Sequence, residues 1–461
     1  MSHDGTPTRD IVLITVDSLQ YDYVAADDAP APGLAGLSAL ADGGTFFTNA
    51  FSNATITKGS FLSIFSGTYP WMFGSIDGGF DTGRPHLAER LSAAGYATAG
   101  FNTNPYLSST YGYDRGFDYY MGRDTGENLD RTTLSSKYWP VLKESLLPKR
   151  AARAVRSAYG TAGRKLGLQL GGDPYVPAEE VNEAVFEYLE DSTGPRFLWI
   201  HYMDVHTPYY PREGTESEDE RKRHAVKLFH RANERRADAS DADLDRLERL
   251  YEGEVEHFDR RLAELLDGLD ARLDLSESLV VFGSDHGEAF GDHDAVFHPD
   301  GVLYDDLVHV PLVVNGPGFD AGAVSTPVSN ADIVPTLLEF AGAETPSVCV
   351  GDSLAGIVAD PPDGRAVFAG GHDSDTGVAM VATERYKLIR DLRSGTEELY
   401  DRAADPEETT DVLDARPDAA RRLRAALDER LEVARSNEAE PSAVEVDDGV
   451  KTRLRMLGYD E

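Results

Sequence analysis

The stretch SDHGEAFGDHDAVFHPDG (284–301) gathers acids and imidazoles. Asp285 and His286 offer one carboxylate and one imidazole to a single point, a pairing that suits a divalent metal with mixed oxygen and nitrogen ligands. His293 and His298 follow on what must be a loop. Three of the chain's 12 histidines fall in this stretch, which argues against incidental histidines on a solvated acidic loop. Asp17 closes DIVLITVD (10–17) and is the third candidate ligand, although a strand-end acid also commonly caps the next helix. In NATITKGSFLSIFSGTYP (53–70), Thr57 stands where a polar loop opens a short apolar helix ending at Gly67. A hydroxyl there is usually a cap. Against a metal it becomes a nucleophile, because coordination lowers the pKa of an otherwise poor alcohol, and a helix start favours the developing negative charge. Lys58 is either a holder of an anionic oxygen or a surface lysine. In HYMDVHTPYYP (201–211), Pro208 biases its neighbour toward extended backbone and fixes a turn. His206 there binds or protonates a leaving group, or is a buried structural histidine.

These residues need a scaffold that brings them together. DIVLITVD reads as a buried parallel strand with Asp17 at its carboxyl end. HLAERLSAAGYATAGFNTN (86–104) reads as a helix, a Gly95 stop and a strand. RFLWIHYMDVH (196–206), SLVVFGSDHGE (278–288) and VPLVVNGPG (310–318) read as further strands, and 240–270 carries helical apolar spacing. Strands alternating with helices predict an α/β fold with a mostly parallel central sheet and helices on both faces. Chemistry in such sheets collects at the strands' carboxyl ends, where Asp17, His206, Asp285 and His286 all fall. DIVPTLLEFAGAETP (332–346) reads as the last helix of a catalytic domain spanning 1–346. Beyond it, AVFAGG, GVAMVATERYKLIRD and TEELYDRAADPEE read as strands of a small antiparallel C-terminal unit (347–461), followed by a helix near 416–435 and an acidic tail.

The 461 residues carry a net charge of −37, which argues against nucleic-acid binding. A solvated acidic surface of this kind suits a halophilic, salt-rich cytoplasm, where the Debye length of about 3 Å at molar salt screens self-repulsion. Cys349 is the only cysteine, so no intrachain disulfide forms. MSHDGTPTRD shows no apolar signal region and no run of about 18 apolar residues exists, so the expected location is cytoplasmic. Residues 137–165, within a basic helical insert at about 130–175, break the charge trend with Lys137, Lys143, Lys149, Arg150, Arg153, Arg156, Arg164 and Lys165 against Glu144. They read as a helix whose bases pair with the acidic body or, alternatively, as a weak membrane-surface contact.

The pattern resembles the sulfatase family of the alkaline-phosphatase-like superfamily over nearly the whole chain, in an acidic, haloarchaeal-type form. DIVLITVDSLQYD, TITKGSFLSIFSGTYP, LAERLSAAGYATAGF, HYMDVHTPY, FGSDHGEAFGDH, LYDDLVHVPLVVNGPG, DIVPTLLEFAG, ERYKLIRD and EELYDRAADPEE stand in family order. The resemblance implies Asp17, Thr57, Asp285 and His286 around one divalent metal ion, with Thr57 as nucleophile. His206 matches a substrate-binding or leaving-group histidine, and His298 falls near a cationic substrate ligand of many relatives. Sulfatases carry C-x-P-x-R or S-x-P-x-R, whose first residue is oxidised to formylglycine. Here Thr57, Lys58, Gly59, Ser60 and Phe61 occupy those positions. Ser18 follows Asp17 where a second acid is usual. FNTNPYL replaces a GKWHLG-like segment, with Asn104 placed to supply a softer hydrogen bond. An unmodified threonine is similar to phosphodiesterases and phosphotransferases of the same superfamily.

The expected function is a metal-dependent hydrolase of sulfate or phosphate esters, acting on a small anionic ester or glycan. The alternatives are a phosphodiesterase or phospho-group transferase acting on a glycan or lipid headgroup, and an inactive anion-binding relative. Carboxylate-rich ligands suit Ca²⁺, Mg²⁺ or Mn²⁺, and imidazole also admits Zn²⁺. Two-metal relatives usually show a D-x-x-x-H spacing that HYMDVH lacks, so one metal is expected.

Overall fold

The structure, a computed structural model, describes residues 9–26, 28–73, 79–80, 83–121, 175–210, 218–234, 240–371, 377–437 and 451. The basic segment 137–165 and the acidic tail after 437, apart from residue 451, lie outside the described residues.

The central sheet has eight strands: β1 (Ile11–Val16), β2 (Thr45–Phe47), β3 (Ala97–Phe101), β4 (Tyr119–Tyr120), β5 (Arg196–Tyr202), β6 (Leu279–Ser284), β7 (Leu312–Asn315) and β8 (Gly322–Val324). Their spatial order is β8-β2-β7-β6-β1-β5-β3-β4. β1 lies at the centre, parallel to β5 and β6, and β1 and β6 are buried at every position. That double burial is why both read as continuous apolar runs rather than alternating ones. β7 is the strand expected over VPLVVNGPG, and it runs antiparallel to β6 and β2 within the mostly parallel sheet. Its residues Leu312–Val314 are buried, and an apolar run of this kind carries no mark of strand direction. The short strands β2, β4 and β8 were not legible, since two or three residues give no period.

The helices that frame the site are α1 (Ala35–Asp42), α2 (Thr57–Ser66), α3 (Leu87–Ala93), α4 (Ala178–Asp191), α5 (Glu218–Glu234) and α6 (Asp241–Asp270). Tyr251, Val255, Phe258, Leu262 and Leu265 of α6 join the apolar layer formed with Val12, Ile14, Leu198 and Ile200. On the other side of the sheet, Phe61, Leu62 and Phe65 of α2 pack with Leu13, Phe197, Trp199 and Val281. α2 ends at Gly67, whose φ of 67° is the left-handed cap that glycine adopts without cost.

A four-stranded antiparallel sheet, β9 (Val367–Gly370), β10 (Val378–Ala382), β11 (Tyr386–Asp391) and β12 (Glu397–Asp401), is followed by the helix Pro417–Ser436. Phe368, Val381, Leu388, Leu423 and Leu427 continue the same apolar cluster that holds α2. Lys387 and Arg402 reach across to Asp305 at 2.7 and 2.6 Å, and Lys387 also meets Glu408 at 2.6 Å. Among the described residues, no helix is long and apolar enough to cross a membrane.

Candidate active site

The register of three adjacent strands builds the site. Val16 pairs with Tyr202 on β5 and with Ser284 on β6. The next residue along β1 is Asp17 and the next along β6 is Asp285, so parallel pairing sets the two carboxylates side by side. His286 follows. Asp17, Asp285 and His286 each offer a ligand atom within 4.8 Å of the others, and all three are buried. Behind them Gly287 lets the chain pass the Asp306 carbonyl, which a Cβ there would meet at 2.0 Å.

α2 delivers Thr57. Its N-cap is Ile56, and no side-chain cap hydrogen bond exists. Thr57 is thus the first helical residue rather than a cap. Thr57 Oγ1 lies 3.4 Å from Asp17 Oδ2 and 3.4 Å from His286 Nε2. Ser60, one turn along, donates to the Asp285 carbonyl at 2.6 Å and fastens the helix to the end of β6.

Asp17 is surrounded by donors. Asn104 Nδ2 donates to Oδ2 at 2.8 Å and Ser18 Oγ donates to Oδ1 at 2.9 Å. Burial alone would raise its carboxyl, but His206, His201 and His286 outweigh that and hold it well below the usual carboxylate range. Asp285 differs. Its Oδ1 accepts from the amides of Ser18 at 3.1 Å and His286 at 2.9 Å, while its buried Oδ2 has no partner. Burial, and then the Asp17 charge, push it well above the usual range. Ser18 adopts a left-handed φ of 61°, a strained state for a non-glycine residue. The bond to Asp285 and a 2.7 Å bond from Tyr251 to its own carbonyl hold it there.

These residues fit a divalent cation. His286 Nδ1 lies 2.9 Å from the Gly287 carbonyl, which can only accept, so its proton is there and Nε2 presents a lone pair to the cluster. Burial, together with His298, lowers this imidazole to about 4, so it is neutral at physiological pH. A neutral imidazole, an orphaned buried carboxylate oxygen and two adjacent desolvated acids are relieved together by one positive ion.

His206 and His298 flank this cluster. The rings of His286 and His298 lie 4.6 Å apart, and those of His206 and His298 lie 5.2 Å apart. His206 is buried, its basicity lowered chiefly by that burial, with Nδ1 2.5 Å from the Thr207 carbonyl. The Lys58 ammonium rests against the rings of Tyr106 at 4.4 Å and Tyr111 at 5.6 Å. His293 stands apart, half-buried, stacked on Tyr304 and bonded to the Glu407 carbonyl. Phe61, in the motif's arginine position, is buried against His201 and Trp199.

Two residues escaped the sequence reading. Glu288 is fully buried, 2.8 Å from His298 Nδ1, and accepts from Tyr209 at 2.5 Å. Burial lifts its carboxyl to about 7. Its place in SDHGE, two residues beyond His286, was the available signal. His201 lies against Asp17; its parity with Trp199 on β5 was the signal there.

The sulfatase family profile matches residues 9–343, and the profile of the N-sulphoglucosamine sulphohydrolase C-terminal region matches 291–437. Choline-sulfatase of Rhizobium meliloti (strain 1021) is 24% identical over 377 residues, covering 73% of this chain and 68% of that protein. Arylsulfatase K of Xenopus laevis is 22% identical over 444 residues, covering 91% and 82%. Among solved structures, a 2-O GAG sulfatase matches with a TM-score of 0.67 at 17% identity, over 98% of this chain and 97% of that one. The phosphonate monoester hydrolase of Agrobacterium radiobacter matches with a TM-score of 0.64 at 21% identity, over 94% and 96%. With a family profile covering most of its length, the chain belongs to the sulfatase family of alkaline-phosphatase-like proteins and is an ester hydrolase.

Proposed function

We propose that this hydrolase cleaves sulfate or phosphate esters with unmodified Thr57 as its nucleophile, at a site that Asp17, Asp285, His286 and Thr57 form for one divalent cation. The observation that carries the reading is the place of Thr57 Oγ1, 3.4 Å from both Asp17 and His286 at an uncapped helix start. A bound cation would supply Lewis-acid stabilisation of the threonine alkoxide and of the ester oxygens. The start of α2 favours the same negative charge through its helix dipole.

Thr57 Oγ1 forms a bond to phosphorus or sulfur while the bond to the departing ester oxygen breaks. Water then cleaves the threonine ester and returns the hydroxyl. His206 and His298 flank the cluster and serve the leaving oxygen. His206 carries its proton on Nδ1 as held, so it acts as an acid after taking up a second proton. Asn104 holds the Asp17 carboxylate through its amide. Lys58, the second residue of α2, adds positive charge over the Tyr106 ring.

A threonine cannot take the formylglycine route of a cysteine or serine, which supports phosphoester and phosphodiester substrates beside sulfate esters. Phosphonate monoester hydrolases among the structural neighbours are in keeping with this. A sulfated or phosphorylated sugar is the favoured substrate class, because other neighbours are described with D-glucosamine-2-N,6-O-disulfate and with a neocarrahexaose. The test is steady-state turnover of matched aryl phosphate, aryl phosphodiester and aryl sulfate in EDTA and in Mn²⁺ or Ca²⁺. The reading predicts metal-dependent turnover that Thr57→Ala removes. Equal turnover in EDTA, or in Thr57→Ala, would overturn it.

A further inference from the structure

Behind Asp17 lies His201, a fully buried imidazole that the reaction above leaves without a task. Its Nε2 has no hydrogen-bond partner and lies 3.6 Å from Asp17 Oδ2. Its Nδ1 lies 3.0 Å from Thr15 Oγ1, its register partner on β1. Thr15 Oγ1 also accepts from Trp199 Nε1 at 3.0 Å. An indole N–H only donates, and a hydroxyl has a single proton to give. That proton can go to His201 Nδ1 at 3.0 Å or to the Ile200 carbonyl at 3.5 Å, the limit of a hydrogen bond. Donation to His201 makes Nδ1 an acceptor and leaves the ring's own proton on Nε2, facing the carboxylate. The other tautomer would set a lone pair against a buried carboxylate oxygen with no proton between them. Phe61, edge-on at 4.9 Å, and Trp199, stacked at 5.9 Å, fix the ring plane.

We propose that His201 is a positioning residue for Asp17: the Trp199–Thr15–His201 chain fixes the Nε2–H tautomer, which orients Asp17 Oδ2 toward Thr57 and the candidate cation site. At 3.6 Å the contact is electrostatic rather than a full hydrogen bond, and a dry, low-dielectric setting strengthens it. The effect on cation affinity rests on the proposed reading of the site; the tautomer does not.

The test uses the full-length protein labelled with ¹⁵N-histidine. Long-range ¹H–¹⁵N spectra report which ring nitrogen carries the proton, with His201 assigned through His201→Gln. The expected result is Nε2–H in the wild type and loss of that single pattern in Thr15→Val. Nδ1–H in the wild type overturns the proposal whatever the activity. Mn²⁺ titration followed by electron paramagnetic resonance gives the second readout. His201→Phe keeps the aromatic packing and should weaken Mn²⁺ binding about 10–100-fold, the usual effect of losing a group that orients a ligand, with an unchanged melting temperature in EDTA. His201→Gln returns an amide N–H toward Asp17 and should restore most of the affinity. Equal affinity in wild type and His201→Phe, or equal losses in both variants, would overturn the proposal. A wild type that binds no Mn²⁺ would refute the metal reading alone, and the spectra would then decide the tautomer.

Discussion

The two halves of the site are built from different material. Asp17 and Asp285 sit one residue past register-paired positions on adjacent, fully buried parallel strands. Backbone pairing therefore sets their separation, and amides of Ser18 and His286 complete the frame. His206 and His298 sit on loops. His298 follows a turn with left-handed φ values at His293, Asp294 and Phe297, and side chains, above all Glu288, hold it in place. The sheet half is therefore expected to tolerate little change, whereas the loop half, held by side chains, should respond to substitution by degrees.

The largest effects should follow from breaking the sheet half. Asp285→Asn removes an anionic ligand and is expected to abolish metal binding and turnover while the fold survives, because its amide oxygen can still accept from the Ser18 and His286 amides. Full activity in that variant would sink the metal assignment. Next come the loop histidines. His206→Ala and His298→Ala should each lower kcat/KM by about 10²-fold, the usual scale for a positioned proton donor, with Mn²⁺ affinity retained. A loss of Mn²⁺ binding in either variant would erase the distinction between the halves. Above pH 7, where Glu288 is mostly ionised, Glu288→Gln keeps the shape and removes the carboxylate charge beside His298. A charge-assisted hydrogen bond contributes about 1.5 kcal/mol, so about a tenfold drop in kcat/KM is expected.

The same contrast explains what was legible in the sequence. The apolar runs ending in Asp17 and Asp285 announce buried strands, and an acid at a strand's carboxyl end carries its own meaning. Thr57 was legible as a helix start, but only the structure shows that it is not the cap, because the cap position falls on Ile56. The direction of β7 was hidden, since an apolar run is the same read in either sense. Glu288 and His201 were hidden for another reason. Each acts through one partner distant in sequence or on another strand, His298 for the first and Asp17 for the second.

Smaller effects should come from histidines outside the candidate metal cluster. His86 is lowered to about 3 by burial and by Arg115, and His309 to about 4 by desolvation and by Arg402. Both are neutral when folded and take up a proton near 6.5 when unfolded. Their contribution is therefore complete above about 6.5 and is lost as pH falls toward about 4 for His309 and 3 for His86. Urea midpoints should fall between pH 7 and pH 4.5, and the slope should flatten in His86→Phe. An unchanged slope would contradict the assignment. The net charge of −37 should act everywhere at once, lowering the melting temperature in millimolar relative to molar KCl. Identical melts would show that the acidic surface is indifferent to screening.

The most direct measurement of the central claim is intact-protein mass spectrometry during turnover of aryl phosphate, phosphodiester and sulfate esters, followed by peptide mapping. The account predicts a phospho- or sulfo-adduct on Thr57 that is absent from Thr57→Ala. Turnover with the adduct on another residue, or undiminished turnover by Thr57→Ala, would contradict it.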